Sequence, residues 1–379
     1  MKLITRQLQG LIEKELFSGK AIVLVGARQV GKTTLFGQIL SKRTEPILRL
    51  NCDEPEVRNM LTDANTHVLG SLIGNNRIVV IDEAQRVKNI GITLKLITDG
   101  FPDVQLLVTG SSSFQLRDSI NEPLTGRKWE YHLFPISTAE MYSSGGLLAV
   151  KQSLENRLIY GSYPDVINHS GKARSILTNL TESYLYKDLL QLDYVRKPDV
   201  LERLLVAIAL QVGSEVSYNE LAQTIGTDSK TSEKYVDLLE KCYVLFRLGA
   251  FSRNLRNELK KRRKIYFYDN GVRNAVIQNF SPLSLRNDVG ALWENFFISE
   301  RIKHNHYVGN YAKSYFWRNT RQQEIDYIEE QDGTFKAFEM KWNTRKASVS
   351  VPSSFAEQYD LRSFDVVTPD NYLQFLVAE

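Results

Sequence analysis

The stretch AIVLVGARQVGKTT, residues 21–34, constrains the fold more than any other part of the chain. Its apolar run, Ala21 to Val25, reads as a strand buried on both faces. Gly26-x-x-x-x-Gly31-Lys32-Thr33 follows, and then a helical pattern. The two glycines let the backbone curl so that its N–H groups converge on a phosphate. Gly26, Ala27, Arg28, Gln29, Val30, Gly31, Lys32, Thr33 and Thr34 are therefore the expected ATP contacts. Lys32 would reach the β- and γ-phosphates, and Thr33 would offer its hydroxyl to Mg²⁺. The helix beginning near Lys32 adds its positive end.

A second apolar run, RIVVIDEAQ, ends in Asp82 and Glu83. Apolar throughout, it reads as an inner strand of a parallel sheet, with its acids at the carboxyl edge where ligands bind. Asp82 would hold Mg²⁺ through water, and Glu83 would position or activate the attacking water. A third strand, VQLLVTGSSS, ends in Thr109 and Ser111. Either could sense the γ-phosphate, or the segment is a plain serine-rich turn. Arg127, in LTGRKWE, is a candidate arginine finger or sensor, in cis or in trans. An ordinary surface arginine is the alternative.

At 379 residues the chain calls for two or three domains. Its 42% hydrophobic and 24% charged residues suit a soluble globular protein. No apolar run approaches the length of a membrane span. The N-terminal stretch, with Glu13 and Glu15 inside its apolar pattern, reads as an amphipathic helix rather than a signal peptide. Two distant cysteines, Cys52 and Cys242, suggest a reducing cytoplasm. A net charge of +4 does not argue for nucleic acid, so that case rests on local clustering.

The expected divisions are an ATPase domain over 1–150, a helical lid or linker over 151–198, and two further domains over 199–270 and 271–379. In the third segment DVLERLLVAIALQVG is an apolar-periodic helix stopped by Gly213. SYNELAQTIG opens with Ser217 three residues before Glu220, a capping box. A third helix and a strand follow the turn at Gly226. This order describes a winged helix-turn-helix. The connection after that strand carries Arg253, Arg256, Lys260, Lys261, Arg262, Arg263 and Lys264 against the single acid Glu258. Such a wing could track DNA phosphates. A solvated basic loop, or a winged helix used only between domains, remains open.

Near the far end, Asp332-Gly333 is a strong hairpin turn. Pairing Gln331 with Thr334 places Asp326 opposite Glu339 and Glu324 opposite Lys341. Strict alternation then puts these four on one face, and Ile325, Tyr327, Phe338 and Met340 on the other. Facing carboxylates cost roughly 0.2–1 kcal/mol when exposed. At 4 Å and an effective dielectric of about 20 the cost is nearer 4 kcal/mol. A divalent cation held by Asp326 and Glu339 would offset it, and oxygen ligands suit Mg²⁺ or Mn²⁺. Asp288 can cap the next helix upstream, on which Glu294 shares a face with Ala291, Phe297 and Ile298.

GARQVGKTT, IVVIDEAQ, LLVTGSSS, LTGR, FPIS with Glu140, and YGSYPDV resemble the AAA-type P-loop ATPases of prokaryotes. KIYFYDNGVRN, WENFF, YFWRN, EIDYI and FEMK extend the resemblance to members with a C-terminal domain of unknown function. The resemblance implies an α/β P-loop ATPase, a winged helix-turn-helix, and a C-terminal domain of the PD-(D/E)xK, restriction-endonuclease-like fold. Glu294, Asp326, Glu339 and Lys341 match the catalytic residues of that nuclease pattern. Ile325 stands where a proline sometimes precedes the aspartate. Two functions follow as expectations. In one, ATP hydrolysis gates a metal-dependent nuclease acting on nucleic acid. In the other, a nucleotide-driven switch uses its C-terminal domain only to bind DNA or protein. Self-association is left open.

Overall fold

The computed structural model describes residues 3–110, 120, 123–182, 195, 197–252, 263–346 and 349–377. It forms two compact units. One is Thr5–Pro135 with Lys241–Tyr243; the other holds Ile136–Glu240 and Val244–Glu379 with the first residues of the chain.

The first unit is built on a five-stranded parallel sheet: β1 (Ala21–Val25), β2 (Ile47–Asn51), β3 (Ile78–Asp82), β4 (Gln105–Gly110) and β5 (Lys128–His132). Their order is β2-β3-β4-β1-β5, and every ladder is parallel. Every residue of β1 and β4 is buried, as unbroken apolar runs require of strands covered on both faces. The carboxyl ends of β1, β3 and β4 lie side by side. The glycine loop, Asp82 and Thr109 therefore arrive at one edge of the sheet.

The second unit opens with the helical segment Thr138–Tyr160, interrupted by non-helical backbone at Gly146 (φ 73°), and its Ser137 and Glu140 form a reciprocal capping box. Residue 150 lies in the part of this segment after Gly146. Helices Pro198–Leu210, Tyr218–Ile225 and Ser229–Lys241 follow, with β6 (Glu215–Val216) between the first two. Helix Tyr218–Ile225 begins where expected, but Ser217 makes no side-chain cap bond, so the expected capping box does not form there.

Strands β7 (Leu245–Ala250), β8 (Arg263–Phe267), β9 (Lys313–Arg318), β10 (Glu324–Gln331), β11 (Thr334–Met340) and β12 (Asp360–Val367) join β6 in one sheet. Its order is β12-β11-β10-β9-β7-β8-β6. The β7–β9 ladder, Gly249 to Tyr315 and Ala250 to Phe316, carries this sheet across the expected boundary at 270. Segments 199–270 and 271–379 thus share a sheet and a compact unit.

Helix Val289–Val308 packs on this sheet, with Phe297 beside Phe338 of β11 and Trp293 Nε1 donating to the Val367 carbonyl of β12 at 3.2 Å. It also carries a buried ion network. Glu300 accepts from Lys303 Nζ at 2.6 Å and from the Thr138 N–H at 2.5 Å, and lies 3.2 Å from Arg157 Nη2. Asp288 does not cap this helix. Arg273 and Arg286 take its carboxylate instead, at 2.6 and 2.8 Å. Two guanidinium charges outcompete backbone N–H groups for a half-buried acid.

The β10–β11 hairpin has the expected register from Gln331–Thr334 back to Tyr327–Phe338. Beyond that, strict alternation fails. The β9–β10 ladder shifts register between Ile325 and Ile328, as a bulge does by inserting a residue into one strand. Ile325 consequently clusters with Ile328, Trp317, Phe335, Ala337 and Phe355. Tyr327 instead lies at a tilt against Phe338, whose ring neighbours Phe297 and Phe375. The expected common face of Ile325 and Tyr327 is not formed.

Candidate functional sites

The phosphate loop leaves β1 at Gly26, with φ 153°. A Cβ there would lie 2.2 Å from the Leu133 carbonyl oxygen, so only glycine fits this approach. Gly31, at φ 97°, turns the chain into the helix Lys32–Leu40. Lys32 is buried and folds back along the loop, its ammonium donating to the Gly26 and Ala27 carbonyls at 3.0 and 2.9 Å. Burial pushes its pKa down to about 8, against the raising pull of Glu83 and Asp82.

Thr33 Oγ1 donates to Asp82 Oδ2 at 2.9 Å. The Thr109 hydroxyl donates to Asp82 Oδ1 and accepts the Glu83 N–H at 3.2 Å. Glu83 has left-handed backbone, φ 54°, a conformation costing on the order of 1 kcal/mol for such a residue. Its carboxylate accepts from Gln85 Nε2 at 2.5 Å. A hydroxyl and a carboxylate this close, beside a lysine, are hard oxygen donors of the kind Mg²⁺ takes alongside a nucleotide phosphate. These residues fit the metal expected of them.

Arg127 is elsewhere. Its carbonyl accepts the Ala21 N–H, placing it at the amino end of β1. Five residues of strand separate that end from the loop, about 16 Å. Its guanidinium is paired with Asp99 at 2.6 Å. The structure does not bring Arg127 to the phosphate loop of its own chain. Ser111 lies outside the described residues.

Sequence reasoning missed Arg6. It is buried, and donates to the Val30 carbonyl at 2.8 Å and the Phe134 carbonyl at 2.5 Å. It thus braces the crest of the phosphate loop. An arginine two residues before an apolar-periodic helix was the only signal.

In the second unit Glu294, Asp326, Glu339 and Lys341 do come near one another, but not as bare facing charges. The Met340 N–H donates to Asp326 Oδ2 at 3.0 Å. Lys341 Nζ lies 2.6 Å from Glu339 Oε1. The β10–β11 ladder stops at Tyr327–Phe338 and β11 ends at Met340, so no ladder pairs Glu324 with Lys341; on its other edge Glu324 pairs with Arg318 of β9. A cavity of about 410 Å³ is lined by Gly290, Glu294, Asp326, Met340, Lys341, Trp342 and Asn343.

The centre of this cluster is Lys264, which the sequence had assigned to the solvent-facing basic wing. Its side chain is 4% exposed. The ammonium lies 2.5 Å from Glu324 Oε1, 3.1 Å from Glu294 Oε1 and 3.9 Å from Asp326 Oδ1. Tyr266, two residues along the strand, donates to Glu294 Oε1 at 2.6 Å. Burial opposes the Lys264 charge, but Glu294, Asp326 and Glu324 outweigh it and raise its pKa. Burial, then repulsion from Asp326, pushes Glu294 up to about 7. Burial likewise raises Asp326, and burial with the charge of Asp326 raises Glu339.

Among the described residues no group of three or more His, Cys, Asp or Glu side chains is arranged to hold a metal ion. A divalent cation at Asp326 and Glu339 would have to sit beside the Lys264 ammonium, 3.9 Å from Asp326 Oδ1. A dication set about 4 Å from an ammonium would meet roughly 8 kcal/mol of repulsion at an effective dielectric of about 20.

Residues 18–142 match the model of an AAA domain. Residues 151–283 and 289–374 each match a domain of unknown function. An uncharacterised protein of Mycobacterium tuberculosis is 25% identical over 347 residues, covering 89% of this chain and 74% of that one. Another, of Methanocaldococcus jannaschii, is 24% identical over 326 residues, covering 74% and 68%. Among solved structures, the Walker-type ATPase PABY2304 of Pyrococcus abyssi superposes with TM-score 0.49 and 17% identity, covering 73% of this chain and 96% of that one. The RuvB Holliday junction branch migration motor of Thermotoga maritima gives TM-score 0.32 and 18% identity, covering 69% and 92%. The AAA match spans the sheet and loop that hold Lys32, Thr33, Asp82 and Thr109. The first unit has a P-loop ATPase-type α/β fold. Among the described residues no helix is long and apolar enough to cross a membrane.

Proposed function

We propose that this chain binds and hydrolyses ATP at the carboxyl edge of the β2-β3-β4-β1-β5 sheet and uses the cycle as a switch. One observation carries the reading: Thr33, Asp82, Glu83 and Thr109 form one hydrogen-bonded set beside Lys32. Lys32 would leave the Gly26 and Ala27 carbonyls for the β- and γ-phosphates. Thr33 and Asp82 would hold Mg²⁺, which supplies charge neutralisation at the transferred phosphoryl group. Glu83 would orient the attacking water, with Thr109 fixing its backbone and reporting on the γ-phosphate. The test is Mg²⁺-dependent phosphate release from ATP by the purified chain, compared with Thr33→Ala. Turnover that Thr33→Ala leaves intact would remove Thr33 and Asp82 from this role.

For the second unit we read helices 198–241 with β6, β7 and β8 as a winged helix-turn-helix. The strands that follow are read as a restriction-endonuclease-like fold used for binding. Nuclease action would need a cation between Asp326 and Glu339, and the Lys264 contacts favour the binding reading over it. DNA is the candidate partner, through the basic run between β7 and β8. Arg253, Arg256, Lys260, Lys261 and Arg262 lie outside the described residues. Arg263 is engaged with Tyr218 and Glu233, and Lys264 is buried. Mg²⁺- or Mn²⁺-dependent cleavage of DNA, lost in Lys341→Ala, would restore the nuclease reading.

A further inference from the structure

We infer that Lys264 is the resident cation of the C-terminal carboxylate cluster, and that this cluster takes up a divalent metal only when Lys264 is removed. The inference deepens the binding reading of the second unit, on which it rests, and is independent of ATP hydrolysis.

Three features carry it. First, Lys264 comes from β8, a strand outside the hairpin that supplies Asp326, Glu339 and Lys341. Its ammonium nevertheless crosses the Phe316 ring, 5.6 Å from the centroid, to reach Glu324 on β10. A lysine ammonium has three N–H donors and no acceptor, and here it faces three carboxylates, those of Glu324, Glu294 and Asp326.

Second, one oxygen of each of the other carboxylates already has a donor. Asp326 Oδ2 takes the Met340 N–H, Glu294 Oε1 takes Tyr266 as well as Lys264, and Glu339 Oε1 takes Lys341. Arg318 lies 3.7 Å from Glu324. Lys264, Lys341 and Arg318, the last shared with Glu215, thus already offset much of the cluster's negative charge. A hard dication gains little from such a set and would have to displace a buried ammonium.

Third, the obstacle is local. Taking away Lys264 alone leaves Glu294, Glu324 and Asp326 around one vacated position. Oxygen-rich, negatively charged surroundings are what Mn²⁺ and Mg²⁺ select. The 410 Å³ cavity already reaches Glu294 and Asp326, so an ion has a way in.

The test is an electron paramagnetic resonance titration of free Mn²⁺ on nucleotide-free protein, in a Lys32→Ala background. Asp326→Asn should leave the number of bound Mn²⁺ ions unchanged. Lys264→Met should add one site, or strengthen binding at least tenfold. Asp326→Asn in the Lys264→Met chain should abolish that gain. Bound Mn²⁺ that disappears on Asp326→Asn with Lys264 intact would overturn the inference, and so would a folded Lys264→Met chain with no added site. Should Lys264→Met fail to fold by circular dichroism, the Asp326→Asn comparison decides alone. ATP turnover is not read in any arm, so the ATPase reading stands or falls separately.

Discussion

Thr33 and Asp82, forty-nine residues apart in sequence, are joined by a 2.9 Å hydrogen bond from hydroxyl to carboxylate. The bond ties the start of the helix after the phosphate loop to the end of β3. Thr109, at the end of β4, completes it by donating to the other oxygen of Asp82 and accepting the Glu83 N–H.

Thr109→Val should therefore disturb catalysis more than binding. The change keeps the volume but leaves Asp82 and the Glu83 N–H each short of a partner. Hydrogen bonds to charged groups contribute about 1.5–3 kcal/mol, so turnover should fall by about tenfold to a hundredfold. Nucleotide affinity, read by fluorescence titration, should stay within a few fold. An equal loss in both would give Thr109 a merely structural role.

Arg127→Ala should change turnover by no more than about twofold. Its guanidinium is paired with Asp99 at the amino edge of the sheet, and an exposed ion pair of this kind contributes little. A steady-state assay at several protein concentrations checks this. A loss above tenfold that grows with concentration would mean that Arg127 acts on a neighbouring copy.

The contrast between Asp82 and Arg127 shows where sequence was informative. Asp82 follows four apolar residues, and a buried strand has only one edge at which such an acid can emerge. Arg127 had no strand to fix its direction; it precedes β5 rather than ending it. The hairpin was legible from Asp332-Gly333 because the turn sets the register. The bulge at Ile325–Ile328 was not, because alternation assumes an uninterrupted ladder. Lys264 was hidden at the end of a basic run that read as solvated. Its position two residues before Tyr266 was the available clue, since the two side chains share a face of β8 and meet at Glu294.

Glu300 gives the second unit a dependence on acid. Burial opposes its charge, but Lys303 and Arg157 outweigh burial and hold its pKa near 2, below the unperturbed 4.5. A depressed carboxylate contributes stability that is complete above the unfolded value and is lost as pH falls from about 4.5 toward 2. The shift corresponds to roughly 3 kcal/mol. Glu300→Gln should lower the melting temperature at pH 7, leaving Arg157 and Lys303 unmatched, and flatten the loss between pH 4.5 and 2. Parallel melting curves for both forms across that range would contradict the assignment.

The basic run should be read with its two described members removed. Replacing Lys260, Lys261 and Arg262 by Ala should lower the slope of log affinity against log salt by about 3 if each meets a phosphate, since each contact releases about one counterion. Arg263→Ala should leave the slope nearly unchanged. Gel-shift titrations on one duplex at several salt concentrations separate the two. An unchanged slope in the triple variant would make the run a solvated loop.

The most direct test compares nucleotide binding and Mg²⁺-dependent turnover in Lys32→Ala and Glu83→Gln. Lys32→Ala removes the cation cradled by the loop, so affinity for a fluorescent ATP analogue and turnover should both fall at least tenfold. Glu83→Gln keeps Thr33 and Asp82 for the metal and removes only the group that orients water. Its affinity should stay within about threefold of the unaltered chain, while turnover drops by about a hundredfold or more. Equal loss of binding in the two variants, or turnover that survives Glu83→Gln, would contradict the account.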